Sequence, residues 1–475
     1  MIGLFLCENE IYPKKGSIRE GVFYNMNIRE KVETLAKVAT KELQSVNAPG
    51  AEIAVVYEDE VIFAEGFGIA NSETATPVTA EMLFRIGSLT KMITAYSLMS
   101  LINEQHLNVQ VPIAEYVSDL PPLLAPLTIH QLLSHTAGLK DDDSDYGPHD
   151  EGALGQAVCS YDRRHFFTEP GKMFSYSGLG YAVAGVVIEA LSKKPYAQVV
   201  ADRVLKPLKM ERSTFSTTMA MTYPFSQGHI VEKSQRWSVV RPYDDNATRW
   251  PAGFLFSNVI ELARLCIAFM NDGRFDGEQV LAPEVISALT QPYAKPLDAP
   301  DSRYYGYGLY LDEYHDIYTL DHSGGRRGFC SYLQMFPEQR FAVIELVNQA
   351  NVLLRKTQGT AIELFLAPKN ISPTPSSSLE FSLTKEELAS FIGRYASPDI
   401  NVTATSDIQL VNIEDKLMIQ FGDEEQPLLA VRKSETRFSV VLRMGLQPVE
   451  FVFQKGLNKQ EDYLCWANRA YKRVV

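Results

Sequence analysis

The sequence is poor in cysteine and tryptophan, and it contains no long uninterrupted apolar segment. Its 475 residues include 5 cysteines and 3 tryptophans. The cysteines are odd in number and have no close paired spacing, so neither a disulfide framework nor a zinc site is expected: Cys7, Cys159, Cys266, Cys330 and Cys465. Apolar stretches such as 181–191 are interrupted by a charge, here at Glu189, which excludes a membrane-spanning helix of about 18 residues.

Basic residues are fewer than acidic residues in this sequence. Lys and Arg number 45 against 58 Asp and Glu, which gives a net charge of −13. Such a chain repels phosphate backbones and anionic lipid, so nucleic acid and a polybasic membrane anchor are not expected partners. With 45% apolar residues the chain is too apolar to be mostly disordered. A globular enzyme is the class that remains.

The N-terminus lacks the basic segment of an export signal, and we therefore predict a cytoplasmic protein. A second methionine, Met26, precedes a predicted helix over 28–47. Residues 1–29 are accordingly interpreted as an N-terminal extension, and whether 1–25 belong to the native protein is left open.

Residues 30–366 are predicted to form one α+β domain. A hairpin is predicted over 51–68, and a second over 329–336 and 341–347, followed by a helix from about 350 to 366. Between the hairpins lie mainly helical patterns and Pro/Gly-rich loops. Strands at both ends of a helical segment indicate a sheet assembled from distant parts of the chain.

A Pro/Ser-rich linker is predicted over 367–382, followed by an all-β domain over 383–475. The linker lacks hydrophobic periodicity, and the residues after it show several short alternating strands. This pattern is typical of a small antiparallel barrel. We expect the C-terminal domain to restrict access to a cleft or mediate assembly rather than to supply catalytic groups.

The most informative segment is Phe84-Arg-Ile-Gly-Ser-Leu-Thr-Lys91, which opens a predicted amphipathic helix beginning at about Ser88. Ser88 and Lys91 are three residues apart, so their side chains share one helix face. A serine hydroxyl becomes a strong nucleophile when a nearby base removes its proton, and a lysine can act as that base. Ser-x-x-Lys alone occurs often by chance, with a helix-capping Ser and an exposed Lys as the ordinary alternative.

Four further segments follow in a characteristic order: 128–139 with Leu-Ser-His-Thr-Ala-Gly-Leu, 170–181 with Tyr-Ser-Gly, 250–257 with Trp-Pro-Ala-Gly, and 322–329 with His-Ser-Gly-Gly. Together with the Ser-x-x-Lys segment they resemble the serine β-lactamase-like family. That family includes class C β-lactamases, D-aminopeptidases, D-Ala-D-Ala carboxypeptidases and related esterases. The resemblance covers about residues 30–365 and implies an antiparallel sheet with a helical subdomain.

The resemblance also implies roles for individual residues. Ser88 is the implied acylated nucleophile and Lys91 the base that activates it. Tyr176 matches a tyrosine that shares acid/base work with the lysine, and its phenol would need an adjacent ammonium to ionise near neutral pH. His322, in the His-x-Gly element of a strand lining the cleft, would complete the polar network beside Tyr176. No metal or cofactor is implied.

Three glycines are implied substrate-binding positions. The backbone N–H groups of Ser88 and Gly325 would form an oxyanion hole, with Gly324 beside it, and glycine there permits close approach of the substrate. At Gly178 the family usually has an asparagine, whose side chain would donate to the carbonyl of an acyl amide. Glycine cannot donate in this way, which predicts weak β-lactam hydrolysis.

Other polar residues are given weaker interpretations. His135 is interpreted as a structural histidine satisfied by local hydrogen bonds. The acidic run 141–145 is interpreted as a solvated surface loop. The alternatives are a site for a cationic substrate end or a calcium ion, although a calcium loop needs a longer series of ligands. Arg326 and Arg327 are equally well explained as an exposed pair or as ligands of a substrate carboxylate.

The sequence therefore predicts a serine hydrolase that forms an acyl-enzyme with a small peptide or amide, including D-amino-acid peptides. A carboxylesterase is the close alternative, and a catalytically idle penicillin-binding sensor or scaffold is a second one. The expected partners are a small-molecule or short-peptide substrate and a homo-oligomeric copy of the chain.

Overall fold

The computed structural model describes residues 27–366 and 385–474, apart from 143, 151, 233, 401–406, 414–415, 422–423, 433–437, 445–446 and 455–461. The predicted linker at 367–382 and nearly all of the predicted N-terminal extension lie outside the described residues. The helices are α1 (Ile28–Ser45), α2 (Thr90–Glu104), α3 (Ile129–Leu133), α4 (Ala153–Cys159), α5 (Gly178–Ser192), α6 (Tyr196–Val200), α7 (Thr217–Ala220), α8 (Trp250–Gly253), α9 (Val259–Met270), α10 (Pro283–Leu289), α11 (Arg355–Leu366) and α12 (Lys385–Phe391).

The strands fall into one large sheet, several short pairs and a barrel. Those before the barrel are β1 (Gly50–Tyr57), β2 (Glu60–Asn71), β3 (Thr76–Pro77), β4 (Phe84–Arg85), β5 (His229–Val231), β6 (Trp237–Val239), β7 (Phe256–Ser257), β8 (Arg274–Phe275), β9 (Glu278–Gln279), β10 (Tyr304–Tyr305), β11 (Tyr310–Tyr314), β12 (Ile317–Arg326), β13 (Phe329–Phe336) and β14 (Phe341–Val347). The strands of the barrel are β15 (Gly393–Ala396), β16 (Ile408–Ile413), β17 (Lys416–Phe421), β18 (Glu424–Arg432), β19 (Phe438–Met444), β20 (Gln447–Gln454), β21 (Tyr463–Trp466) and β22 (Arg469–Val474).

The large sheet joins the two ends of the first domain. Its order is β10-β11-β12-β13-β14-β1-β2-β3, and neighbouring strands are antiparallel. Along β1, Ile53 and Val55 pack with α1 and α11 on one face, whereas Ala54 and Val56 join the larger core on the other. Burial on both faces explains the continuous apolar run of β1.

Helix α2 differs from its prediction. It is buried on all sides from Thr90 to Ile102 rather than amphipathic, and a 3₁₀ turn over Gly87–Leu89 precedes it. Its polar residues are accommodated because their hydroxyls bond inside the fold: Thr94 donates to the Pro251 carbonyl at 2.7 Å and Ser97 to the Ile93 carbonyl at 2.8 Å.

The C-terminal strands β15 to β22 form a closed antiparallel barrel in which β15 pairs with both β16 and β22. Apolar side chains such as Ile408, Ile419 and Leu464 form its core. The predicted fold class, an α+β domain of β-lactamase type followed by a small all-β barrel, is therefore confirmed. Among the described residues, no helix combines the length and apolar character that crossing a membrane requires.

Glu42 links the first and last helices of the α+β domain. Its carboxylate accepts hydrogen bonds from the backbone N–H groups of Lys356 and Thr357, at 2.8 and 2.6 Å, at the start of α11. Glu42→Ala leaves these donors buried without an acceptor, and we expect it to lower the free energy of unfolding by about 1–3 kcal/mol. Glu33→Ala, on the same helix but in an exposed pair with Arg29, should change it by less than about 1 kcal/mol. Urea denaturation of the two variants measures the difference, and equal effects would contradict this role.

Candidate active site

Ser88 lies at the tip of the turn that leads from β4 into α2. Gly87 has a φ of 53°, and a β-carbon added there would lie 2.6 Å from Gly325 N on β12. Glycine is therefore needed for the turn to approach the strand. The Thr90 hydroxyl donates to the Gly87 carbonyl at 2.7 Å and closes the turn. The sequence thus presents the Ser88 side chain, half-buried, at the edge of a cleft.

Lys91 extends back toward Ser88 from the first turn of α2. Its side chain is 2% exposed, with Nζ 3.2 Å from Ser88 Oγ and 2.7 Å from the carbonyl oxygen of Ala252. Nζ also lies 4.7 Å from the ring centroid of Tyr176. The structure therefore brings together the two residues whose spacing defined the motif, and it fixes the amine between an acceptor in α8 and the serine hydroxyl.

Tyr176 lies immediately before α5, and its hydroxyl group is buried without a hydrogen-bond partner among the described residues. Burial, together with the neighbouring Tyr310, holds the pKa of Tyr176 well above its ordinary value, and the nearby Ser88 side chain opposes this only in part. Lys91 Nζ lies over the ring of Tyr176, but the effect of burial on the pKa of the phenol outweighs any stabilisation of the phenolate by that charge. Tyr176 is accordingly a neutral phenol near neutral pH, which differs from the phenolate role considered from the sequence.

His322 is fully buried on β12, in the same cleft. Its Nδ1 lies 2.5 Å from the Ser323 carbonyl and must carry the proton to make that bond, which leaves Nε2 as an acceptor 3.3 Å from the Tyr305 hydroxyl. Burial, reinforced by the charge of Lys91, lowers the pKa of His322 to about 3. Its ring centroid is 6.0 Å from that of Tyr176, so the two rings are neighbours while the histidine hydrogen-bonds elsewhere.

The two glycines after His322 occupy different environments. A β-carbon on Gly324 would overlap the Ile86 carbonyl and the Ser331 hydroxyl, so this residue packs beneath the nucleophile turn and does not line the cleft. Gly325 lines the cleft and has open space where a side chain would be. Of the two, only Gly325 is placed to meet a substrate directly.

Gly178 also lines the cleft, and the space next to it is occupied by a carboxylate. Its N–H donates to Asp141 Oδ1 at 2.6 Å. A β-carbon at 178 would lie 3.0 Å from that oxygen and 3.4 Å from Ala252 Cβ. An asparagine at this position would therefore require Asp141 to move.

Asp141 was not predicted as a site residue, and the interpretation of 141–145 as a solvated loop is wrong for it. The side chain is 3% exposed and forms an ion pair with Arg469 of the barrel. Although burial alone would raise the pKa of Asp141, the charge and hydrogen bond of Arg469 hold it well below its ordinary value. The carboxylate is thus ionised inside the cleft.

Two further aspartates of this loop form ion pairs with arginines of the cleft wall. Asp142 binds Arg249, and Asp145 binds Arg326 at 2.8 Å. Arg326 also contacts Asp244 at 3.2 Å. Its side chain is therefore buried between two aspartates, and the interpretation as an exposed residue is wrong. Arg327 is more exposed and donates to the Tyr146 hydroxyl.

The turn between β21 and β22 carries barrel residues into the site. Ala467, Asn468 and Arg469 line the same cleft as Ser88. The Asn468 carbonyl accepts a hydrogen bond from Tyr176 N at 2.9 Å, and Ala470 N donates to the Ser175 hydroxyl at 3.1 Å. The sequence suggested no such contact. The barrel therefore helps to hold the backbone of a proposed catalytic residue.

The ring of His135 packs against the ring of Tyr176. Its Nδ1 accepts a hydrogen bond from Ser177 N at 3.1 Å, and its ring centroid is 4.3 Å from that of Tyr176. Its Nε2 has no partner among the described residues, so only half of the predicted local hydrogen bonding is present. Burial, with the charge of Lys91, holds the pKa of His135 well below its ordinary value, so the ring is neutral.

The cleft has a volume of about 540 Å³, and it contains the predicted residues Ser88, Lys91, Tyr176, Gly178, His322 and Gly325. A larger cavity of about 730 Å³ lies elsewhere, between α2 and residues 279–282, and contains none of them. We place the site in the smaller cleft because a nucleophile and a base meet there. In the described part of the chain, no three His, Cys, Asp or Glu side chains are grouped to hold a metal ion.

Comparison with known proteins supports this architecture. A family model described as Beta-lactamase matches residues 35–366. Protein flp of Staphylococcus aureus (strain MW2) is 24% identical over 330 residues, which are 67% of this chain and 63% of flp. Unguisins hydrolase ungD' of Aspergillus campestris (strain IBT 28561) is 25% identical over 379 residues, 75% of this chain and 68% of that protein. The chain thus spans less than two thirds of the length of flp.

Solved structures share the fold over almost the whole chain. The octameric penicillin-binding protein homologue from Pyrococcus abyssi has a TM-score of 0.63 and 22% identity, covering 93% of this chain and 99% of its own. SurE has a TM-score of 0.73 and 21% identity, covering 94% and 100%. SurE with D-Leu has a TM-score of 0.71 and 20% identity with the same coverage. These likenesses extend through the C-terminal barrel.

The low pKa of His322 predicts a pH-dependent contribution to stability. The unfolded chain binds a proton near the ordinary value of 6.5, whereas the folded protein does so only near 3. The folded state therefore loses stability as the pH falls through this window, by up to about 1.4 kcal/mol per pH unit. In urea denaturation at pH 7, 6 and 5, the stability of wild type relative to His322→Gln should decrease steadily. His106→Gln, at an exposed position, is the control, and a constant difference for His322→Gln would contradict the prediction.

Proposed function

The chain belongs to the β-lactamase family, and on that premise we propose that it is a serine hydrolase that forms a covalent acyl-enzyme through Ser88. The observation that carries the proposal is the position of Lys91 Nζ, 3.2 Å from Ser88 Oγ inside a cleft. One relative is named a hydrolase, the unguisins hydrolase, and this is consistent with the proposed class of activity.

In the first step Ser88 Oγ attacks the substrate carbonyl carbon while its proton passes to Lys91, whose ammonium must have released its own proton beforehand. The negative charge that develops on the carbonyl oxygen is stabilised by the backbone N–H groups of Ser88 and Gly325. The close packing of the Ser88 turn against β12 supports this pairing, since a β-carbon on Gly324 would lie 3.0 Å from Ser88 N.

Tyr176 is proposed to donate the proton that the leaving group needs. Its raised pKa keeps the phenol protonated, and Lys91, which has just received the serine proton, can replenish it. Collapse of the intermediate breaks the bond to the leaving group and leaves Ser88 acylated. Lys91, neutral again after this transfer, then deprotonates a water molecule that attacks the ester, and its newly gained proton passes to Ser88 Oγ as the acid is released.

The proposed substrate is a small peptide or amide, with D-amino-acid peptides as the favoured class. The cleft of about 540 Å³, lined on one side by Ala467 to Arg469, suits a short acyl group. One fold relative was solved with D-Leu, which supports D-amino-acid chemistry as the first to test. Carboxylic esters are the second candidate, because at Gly178 the side-chain donor that would recognise an acyl amide is missing.

Replacing the proposed nucleophile should abolish turnover. Ser88→Ala is expected to lower kcat by roughly 10⁴-fold or more, because no acyl-enzyme can form. Lys91→Ala and Tyr176→Phe should each lower kcat by roughly 10²- to 10⁴-fold. Hydrolysis of D- and L-aminoacyl anilides and of a butyrate nitrophenyl ester measures these effects and ranks the substrate classes.

Ser97→Ala is the matched control, since Ser97 lies on the same helix, is buried and bonds only within α2. It should keep most of the wild-type rate. If Ser88→Ala kept wild-type turnover of every substrate that wild type hydrolyses, the proposed mechanism would be wrong. An intact fold with no turnover by wild type would instead favour the idle sensor or scaffold.

A further inference from the structure

The cleft contains a carboxylate at the place where a side chain on residue 178 would project. Asp141 Oδ1 accepts hydrogen bonds from the N–H groups of Gly178 and Asp142 at 2.6 and 3.0 Å. Because a β-carbon at 178 would lie 3.0 Å from that oxygen, glycine and aspartate form a complementary pair from two distant segments. The space beside residue 178 therefore holds the Asp141 carboxylate, a hydrogen-bond acceptor from a loop. A side-chain donor from α5 would otherwise occupy it.

Asp141 shares its arginine partner with a second carboxylate. Its Oδ2 is paired with Arg469, and the same guanidinium lies 3.6 Å from Asp399 Oδ1. This guanidinium therefore serves two carboxylates, and the charge of Lys91 also favours the ionised form of Asp141. An additional cation in the cleft would therefore be attracted to Asp141.

The surroundings of this carboxylate place it where a substrate in the cleft can reach it. Asp141 lines the cleft together with Ser88 and Gly178. In the same cleft, the fully buried Tyr176 hydroxyl has no hydrogen-bond partner among the described residues. A carboxylate cannot donate to an acyl carbonyl, whereas it accepts readily from a primary ammonium, which offers three N–H donors.

We propose that Asp141 is a specificity-determining residue that binds the free α-ammonium group on the acyl part of the substrate. The inference rests on the proposed function and deepens it: the enzyme cleaves substrates with an unblocked amino group next to the scissile carbonyl and discriminates against their N-acylated counterparts. A simpler alternative is that Asp141 only anchors Arg469 and the barrel turn, and the test separates the two.

The experiment compares kcat/KM for p-nitroanilides of alanine, leucine and phenylalanine, in both chiralities, each with a free or an N-acetylated amino group. At pH 6.5 wild type should prefer the free-amino member by at least about tenfold. Asp141→Asn, of nearly the same shape but neutral, should reduce that preference about tenfold. Asp399→Asn is the matched control, because it removes the other carboxylate of Arg469 outside the cleft, and it should keep the preference within about twofold.

The pH profile adds a readout that a purely anchoring residue would not change. The preference of wild type should fall as the pH rises through the pKa of the substrate ammonium, about 8, while that of Asp141→Asn should be nearly flat. Arg469→Gln, which removes the competing cation, should raise the preference for the free amino group. This second variant keeps the test decisive if Asp141→Asn does not fold.

A wild type that hydrolyses the acetylated anilides equally well or better, or neither kind, would overturn the inference. So would an Asp141→Asn variant that lowers both rates by the same factor, which is the result expected for an anchor. Labelling of Ser88 by a fluorophosphonate in the same preparations distinguishes these outcomes from failure of the proposed function, because a hydrolase with another specificity still labels.

Discussion

The site depends on the position of one buried amine. Lys91 Nζ is held by the Ala252 carbonyl at 2.7 Å and lies 3.2 Å from Ser88 Oγ, with aromatic rings on its remaining sides. This arrangement requires α2 and α8 to approach closely, which the polar residues of α2 allow because Thr94 bonds to the neighbouring Pro251 carbonyl. Burial, reinforced by the charge of Lys91, in turn keeps the two nearby histidines neutral.

The barrel contributes contacts that hold residues of the cleft in place. Asp141 pairs through its backbone with the segment before β16, where its N–H donates to the Pro398 carbonyl at 2.8 Å and its carbonyl accepts from Ile400 N at 2.9 Å. The Asn468 carbonyl holds Tyr176 N, and Arg469 holds the Asp141 side chain. Loss of the barrel would therefore alter the cleft itself, whereas the sequence led us to expect an effect on access or assembly alone.

Site residues that are close together in the sequence can be predicted from their spacing, whereas those far apart cannot. Ser88 and Lys91 are three residues apart on one helix, so their contact is predictable from helical geometry. Tyr176 and His322 are identified only through the resemblance of their segments, because nothing in their spacing brings them to Ser88. The hairpins at both ends of the first domain are visible as alternating patterns, and pairing of β1 with β14 completes the sheet.

The contact between Asp141 and Arg469 is beyond such reasoning, since 328 positions separate the two residues. In the sequence Asp141 begins an acidic run that resembles a surface loop, and Arg469 is one arginine in a strand-rich segment. Their pairing results from packing of the barrel against the α+β domain. No pattern in the sequence around either residue indicates this contact. The prediction that α2 is amphipathic is wrong for a similar reason, because its Ser and Thr residues are buried by tertiary contacts that the sequence does not show.

Mass mapping after treatment with a fluorophosphonate tests the central claim most directly, because the reagent reports on an activated serine independently of the substrate. The account predicts a single adduct on Ser88 in wild type, unchanged in Ser97→Ala and lost or greatly slowed in Lys91→Ala. An adduct on a different serine, or labelling of Ser88 at the same rate without Lys91, would contradict it.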